Sequence, residues 1–188
     1  MKNAKVKAKA LAEIAEDIRL CRVCRKDKIG VAVPGEGDPD ADILFLGEAP
    51  GKEEAKTGRP FIGRSGKLLR SLIHDAGLKA EDVFITSPVK YLPKHITPTR
   101  AEIAHGRKHL KVQMDVIQPK LVVLLGRTAY AAIFGELPDL KVERGNIRER
   151  EGIRYFTTYH PAAPLHSPKL RIELVSDFKK LKKILKKK

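Results

Sequence analysis

Four short apolar runs, separated by amphipathic stretches, set the rhythm of this chain. ADILFLG (41–47), DVFITSPVK (82–90), KLVVLLG (120–126) and GIRYFTTYH (152–160) are rich in β-branched, leucine and aromatic residues. Runs of this length between turn signals predict strands buried on both faces. The intervening stretches have helical spacing. Leu11, Ile14, Ala15 and Ile18 share one face within 4–20, and KLLRSLIHDAG ends near Gly77. TRAEIAHGRKHLKVQMDVIQ is stopped by Pro119, TAYAAIFG follows the third run, and 168–187 predict a closing helix. The Gly- and Pro-rich segments 31–40 and 47–66 predict loops. Alternating strands and helices imply an α/β fold, a three-layer α/β/α arrangement around a central, mainly parallel four-stranded sheet. No internal repeat is present, and 1–188 is expected to be a single domain with a lysine-rich end at 179–188.

In sheets of this kind ligands sit beyond the carboxyl ends of the strands. Three chemically rich stretches fall there: GEAPG after the first strand, Thr86-Ser87-Pro88 at the end of the second, and His160-Pro161 after the fourth. Their convergence is the main structural expectation.

Composition narrows the class. The chain is 42% hydrophobic and 32% charged, as expected of a globular protein. It lacks a run of roughly 18 apolar residues and a signal-peptide core, so a cytoplasmic protein with no membrane contact is expected. The net charge of +15 is concentrated at the ends, leaving +4 on residues 10–178. Cationic ends attract polyanions or merely aid solubility, and charge alone leaves both open. Cys21 and Cys24 form a lone CxxC. Outside a redox βαβ setting this reads as the remnant of a metal site.

GEAPGKEEAKTGRPFIGRSGKLL (47–69) resembles the first motif of the uracil-DNA glycosylase superfamily in its family 4 version. The ordered set of CxxC, PGEG, GEAPG, GRPFIGRSG, FITSPVK and YHPAA extends the resemblance over most of the chain. It implies a uracil-DNA glycosylase-like fold and a monofunctional DNA-repair enzyme. Such an enzyme hydrolyses the N-glycosidic bond of a deaminated base, uracil in the first instance, and leaves an abasic site. DNA is the implied partner, with nucleoid association when bound and a monomeric state. No lysine stands where a Schiff-base nucleophile would be needed.

The chemistry asks for matching residues. A base must leave the stack before its sugar bond is cut, so the site needs a platform. Phe61 fits that part, although by residue type alone it reads as a core residue of the loop-to-helix join. Bond cleavage builds positive charge on the sugar and negative charge on the base, which calls for a carboxylate and a donor. The resemblance implies Glu48 and Glu54 for the carboxylates and His160 for the donor to the uracil O2. Gly47, Ala49, Pro50, Gly51, Phe61 and Ser87 are the implied substrate-binding residues. Ser65, Gly66, Leu165 and His166 are the implied DNA contacts, Leu165 as a wedge that fills the vacated gap or else as a packed core residue. Lys90, Arg59 and Arg64 are candidate phosphate cations. His74, His95 and His109 read as surface or helix residues.

Two positions depart from the family. Its members hold a 4Fe–4S cluster on four cysteines, but here the third position is Tyr91 and the fourth falls at or beside Gly106. No intact cluster and no metal are expected, with packing around Tyr91 in their place; an improvised site through His105, one residue from Gly106, is the less favoured alternative. Ser87 stands where asparagine is usual, and a hydroxyl makes fewer bonds to a base edge. A shifted preference for hypoxanthine or xanthine therefore stays open, as do two other readings. One is a relative that binds DNA without cutting it. The other captures the sugar covalently, for which LPKHITPTR with His95 would be the short basic loop.

Overall fold

The computed structural model describes residues 2–186; Met1, Lys187 and Lys188, the last two part of the lysine-rich end, lie outside the described residues. The chain begins with α1 (Lys2–Leu20), the single turn α2 (Arg22–Arg25), β1 (Lys28–Ile29) and β2 (Glu36–Gly37). β3 (Ile43–Leu46) leads through α3 (Lys52–Thr57) and α4 (Arg64–Asp75) to β4 (Phe84–Thr86). Then follow β5 (Leu92–Pro93), α5 (Arg100–Ile117), β6 (Leu121–Leu125), α6 (Arg127–Phe134) and α7 (Leu140–Glu143). β7 (Ile147–Arg150), β8 (Ile153–Thr158), α8 (Ala163–His166) and α9 (Leu170–Leu185) complete the order.

The four runs read as strands form the parallel centre of the sheet, β4-β3-β6-β8. The sheet is nevertheless six-stranded, not four-stranded, because β2 and β7 add antiparallel edges. β2 is two residues long and every residue of β7 is exposed, so neither carries the alternation that marks a half-buried strand. A separate ribbon pairs β1 with β5.

Side chains alternate across the sheet and build a core on each face. Ile43, Phe45, Val123 and Phe156 meet Leu69 and Ile73 of α4 and Leu174 and Phe178 of α9. Leu44, Leu46, Val122 and Leu124 meet Leu110 of α5 and Tyr130 of α6. Each fully buried side chain of this size contributes roughly 1.5–3 kcal/mol, so these two faces hold the layers together.

Local signals position the helices. Thr99 and Glu102 form a reciprocal capping box at the start of α5: the Glu102 N–H donates to Thr99 Oγ1 at 3.2 Å, and the Thr99 N–H donates to Glu102 Oε2 at 2.6 Å. Buried Asp177 of α9 accepts from Thr158 Oγ1 at 2.7 Å and from Arg144 Nη2 at 2.9 Å, which fastens the last helix to β8. The cationic ends are partly spent on the fold. Lys7 pairs with Asp40 at 2.8 Å, and Lys182 donates to the Asp75 carbonyl at the end of α4. Among the described residues no helix is long and apolar enough to cross a membrane.

Candidate functional site

From β3 the chain first adds β4 on one side, then crosses to place β6 on the other. That reversal opens a crevice at the carboxyl ends of β3 and β6, where open α/β sheets take their ligands. A cavity of about 270 Å³ lies there. Glu48, Ala49, Pro50 and Gly51 line it from the loop after β3, and Glu54, Phe61 and Ser65 from the α3–α4 region. Ser87 enters from the loop after β4 and His160 from the end of β8. Side chains from three distant stretches thus share one chamber.

His160 is held in a defined state. Its Nδ1 accepts from the Ala162 N–H at 3.1 Å, so the single proton of the neutral ring sits on Nε2. Nε2 is buried and has no partner among the described residues. Burial pushes the imidazole down to about 4, and the nearby Glu54 carboxylate opposes this only in part. Between the ordinary value of 6.5 and about 4 the unfolded chain binds the proton and the folded one does not. This group's contribution therefore leaves stability intact above pH 6.5 and erodes it as pH falls toward 4. In an NMR titration the His160 ring resonances should stay flat from about pH 8 to pH 5, whereas an inflection near the free-histidine value would refute the buried neutral state.

Phe61 lies 5.6 Å from the His160 ring, centroid to centroid, and tilted by 34°. It belongs both to the core and to the cavity wall, so the two readings of this residue coexist. Its backbone has φ 51, a costly conformation for a residue with a Cβ. Three contacts hold it there. Glu54, buried, accepts from the N–H groups of Ile62 and Gly63 on one oxygen, both at 2.8 Å. Arg70 Nε donates to the Phe61 carbonyl at 3.2 Å. Gly66 packs so tightly that an added Cβ would stand 2.0 Å from that carbonyl. Gly47 gives the ring its room, because a Cβ there would meet Phe61 Cζ at 2.6 Å.

Glu48 accepts from Thr128 Oγ1 at 2.6 Å, which ties the loop after β3 to the start of α6 and fixes one carboxylate oxygen. Thr128 escaped the sequence reading because a threonine opening a helix carries no motif of its own. Ser87 is buried and donates to the Val89 carbonyl at 2.8 Å, so its hydroxyl keeps only acceptor capacity toward the cavity.

The residues read as DNA contacts divide. Leu165 is 43% exposed on α8, so it is not an internal packing residue, and His166 beside it is exposed. Ser65 sits in the first turn of α4, whereas Gly66 is buried against Phe61 and presents no side of itself to a ligand. Two of the candidate phosphate cations are engaged. Lys90 is fully enclosed and donates to Thr86 Oγ1 at 2.8 Å, Gln113 Oε1 at 2.6 Å and the Pro34 carbonyl at 3.2 Å. Burial pushes this ammonium down to about 7. Arg59 makes a bidentate pair with Glu36 at 2.7 and 2.8 Å, while Arg64 stays exposed at the head of α4. His109 is not a solitary helix residue, for it gathers with Cys21, Cys24 and His105.

Residues 34–186 match the family model described as the uracil DNA glycosylase superfamily. A type-4 uracil-DNA glycosylase of Sulfurisphaera tokodaii is 41% identical over 187 residues, covering 93% of this chain and 84% of the relative. A type-4 uracil-DNA glycosylase of Archaeoglobus fulgidus is 38% identical, covering 92% of both. One of Thermotoga maritima is also 38% identical, covering 93% of this chain and 94% of the relative.

Proposed function

The chain belongs to the uracil-DNA glycosylase superfamily, and from that membership we propose how its cavity carries out uracil excision from DNA. The enzyme is a DNA-repair uracil-DNA glycosylase. The observation that carries the mechanism is His160 in the cavity wall, whose buried Nε2 has no hydrogen-bond partner among the described residues.

An everted uracil enters the chamber and stacks on Phe61, an interaction worth roughly 1–3 kcal/mol. As the glycosidic bond lengthens, negative charge collects on the base, and the Nε2–H of His160 donates to its O2. A neutral donor whose ring is held by the Ala162 N–H needs little reorganisation during the reaction. Glu48, oriented by Thr128, lies on the sugar side, where its carboxylate stabilises the cationic sugar and directs the attacking water. The reaction is hydrolytic, releasing the free base and an abasic site. Glu54 serves as a positioning residue, since its held oxygen keeps Phe61 and the start of α4 in place. Ala49, Pro50 and Gly51 form the wall against which the base edge rests, and Gly47 leaves room for the Phe61 ring. Leu165 fills the gap in the duplex, with His166 and Ser65 toward the backbone. Residues 1–188 act as one monomeric unit on DNA in the cytoplasm, associated with the nucleoid when bound.

Uracil-containing single- and double-stranded oligonucleotides, treated with alkali after incubation, test this reading. Strand scission at the uracil is expected. Retardation without scission would leave only a DNA-binding protein, and a heat-stable adduct would mark covalent capture.

Ser87 sets the base preference. Its hydroxyl accepts from uracil N3–H but supplies no donor to O4, because that proton is given to Val89. Ser87→Asn adds an amide donor and is expected to raise the ratio of uracil to hypoxanthine excision by about 10-fold, the worth of one good hydrogen bond. An unchanged ratio in competition assays would remove this position from the readout.

A further inference from the structure

Away from the catalytic cavity, Cys21 and Cys24 at the head of α2 meet His105 and His109 of α5, and their ligand atoms all lie within 4.8 Å of one another. We propose that these four residues form a structural zinc site that clips the N-terminal helices to the body of the fold.

Ligand type and spacing agree. C-x₂-C followed by H-x₃-H is the spacing of a Cys₂His₂ zinc site. Residues four apart on α5 share one face, so both imidazoles turn toward the α1–α2 junction. Their centroids are 5.5 Å apart, and Cys21 Sγ stands 3.2 Å from His105 Nε2. The Cys24 N–H already points at Cys21 Sγ at 3.4 Å, a contact that steadies a thiolate. With zinc–sulfur near 2.3 Å and zinc–nitrogen near 2.0–2.1 Å, tetrahedral ligands stand about 3.3–3.8 Å apart. Movements of about 1 Å or less therefore close the cluster on one ion. Two thiolates balance the dication, and a cavity of about 310 Å³ lined in part by Cys24 and His105 offers a way in.

The four-thiolate iron–sulfur cluster implied by the family does not fit these residues. The chain has two cysteines. At the third position Tyr91 is buried among Ile14, Ile18 and Ala32, and its hydroxyl donates to the Arg19 carbonyl at 3.2 Å. At the fourth, a Cβ on Gly106 would stand 2.1 Å from the Pro88 carbonyl oxygen, so no side chain is tolerated there. A two-iron cluster with its cysteines on one iron and its histidines on the other separates the two pairs. Here the four ligand atoms instead converge on one point, all within 4.8 Å of one another and with 3.2 Å between Cys21 Sγ and His105 Nε2.

The site also touches the chemistry indirectly. α5 rests on Pro88 through Gly106, next to Ser87 in the cavity wall. Zinc thus braces the back of the segment that contacts the base.

Metal analysis of the full-length protein, made with zinc and iron both in the growth medium, decides the matter without any substrate. About one zinc per chain and no iron are expected. Removing it with a chelator should lower Tm by about 10 °C, and added zinc should restore it. Cobalt(II) in its place should give the intense visible bands of a tetrahedral thiolate site. Those bands should be lost in His109→Ala and in Cys21→Ser but kept in His95→Ala. Iron with acid-labile sulfide, or no zinc retained after loading and gel filtration, would overturn the proposal. Neither result bears on uracil excision, which the oligonucleotide assay reads separately.

Discussion

His160→Ala is expected to slow uracil excision under single-turnover conditions by about 10²–10³-fold, or roughly 2.7–4 kcal/mol of barrier. The reason lies in where the proton is. Nδ1 is occupied by the Ala162 N–H, leaving Nε2 as the ring's only donor, buried and without an acceptor among the described residues. A donor with no ground-state partner has its greatest effect where charge develops. Affinity for uracil-containing DNA should change by less than about 3-fold, because the Phe61 platform and the exposed Leu165 remain. The variant should also lose the acid sensitivity of stability between pH 6.5 and about 4 that the depressed His160 value confers. Wild-type turnover in His160→Ala would remove the histidine from the mechanism.

Glu48→Gln is expected to cost a similar factor, about 10²–10³-fold, by a different route. Glutamine keeps the shape and an oxygen for the Thr128 hydroxyl, which now holds Glu48 at 2.6 Å, so the loop after β3 should stay in place. Only the negative charge near the cationic sugar is removed, together with the capacity to take a proton from water. Unchanged Tm with a slowed chemical step would separate this from misfolding. Thr128→Val should show a smaller loss of the same kind, since it frees the carboxylate without discharging it. Excision by Glu48→Gln at the wild-type rate would pass the sugar-side role to another group, and Glu54 is a weak heir with one oxygen already committed to two backbone N–H groups.

Much of this was legible along the chain. β3 and β6 were readable because each is an unbroken apolar run, which only burial on both faces explains, and β4 and β8 because they are short runs rich in β-branched and aromatic residues. α5 was marked by Thr99 and Glu102 at its start and Pro119 at its end. Glu48, Ser87 and His160 were readable because they follow strand ends, whereas Glu54, Phe61 and Ser65 came from the resemblance to the family. What escaped was short or charged. α3, KEEAKT, looks like loop, and Arg148, Glu149 and Arg150 of β7 lie exposed on an edge where pairing with β8 supplies the order. His109 was passed over as a helix residue, although its spacing from His105 held the signal.

The sequence by itself determined the layers and the order in which the chemically rich loops arrive, because apolar periodicity is a local property that burial reads directly. Only the tertiary structure decided which polar groups are free to act. Glu48 with Thr128, Lys90 with Gln113, and Cys21 with His105 are 80, 23 and 84 residues apart in the chain. Which atoms satisfy one another at such separations depends on distances of a few tenths of an ångström, set by packing. That choice turned Lys90 inward, gave Glu54 a loop to hold, and left His160 Nε2 buried with no partner among the described residues.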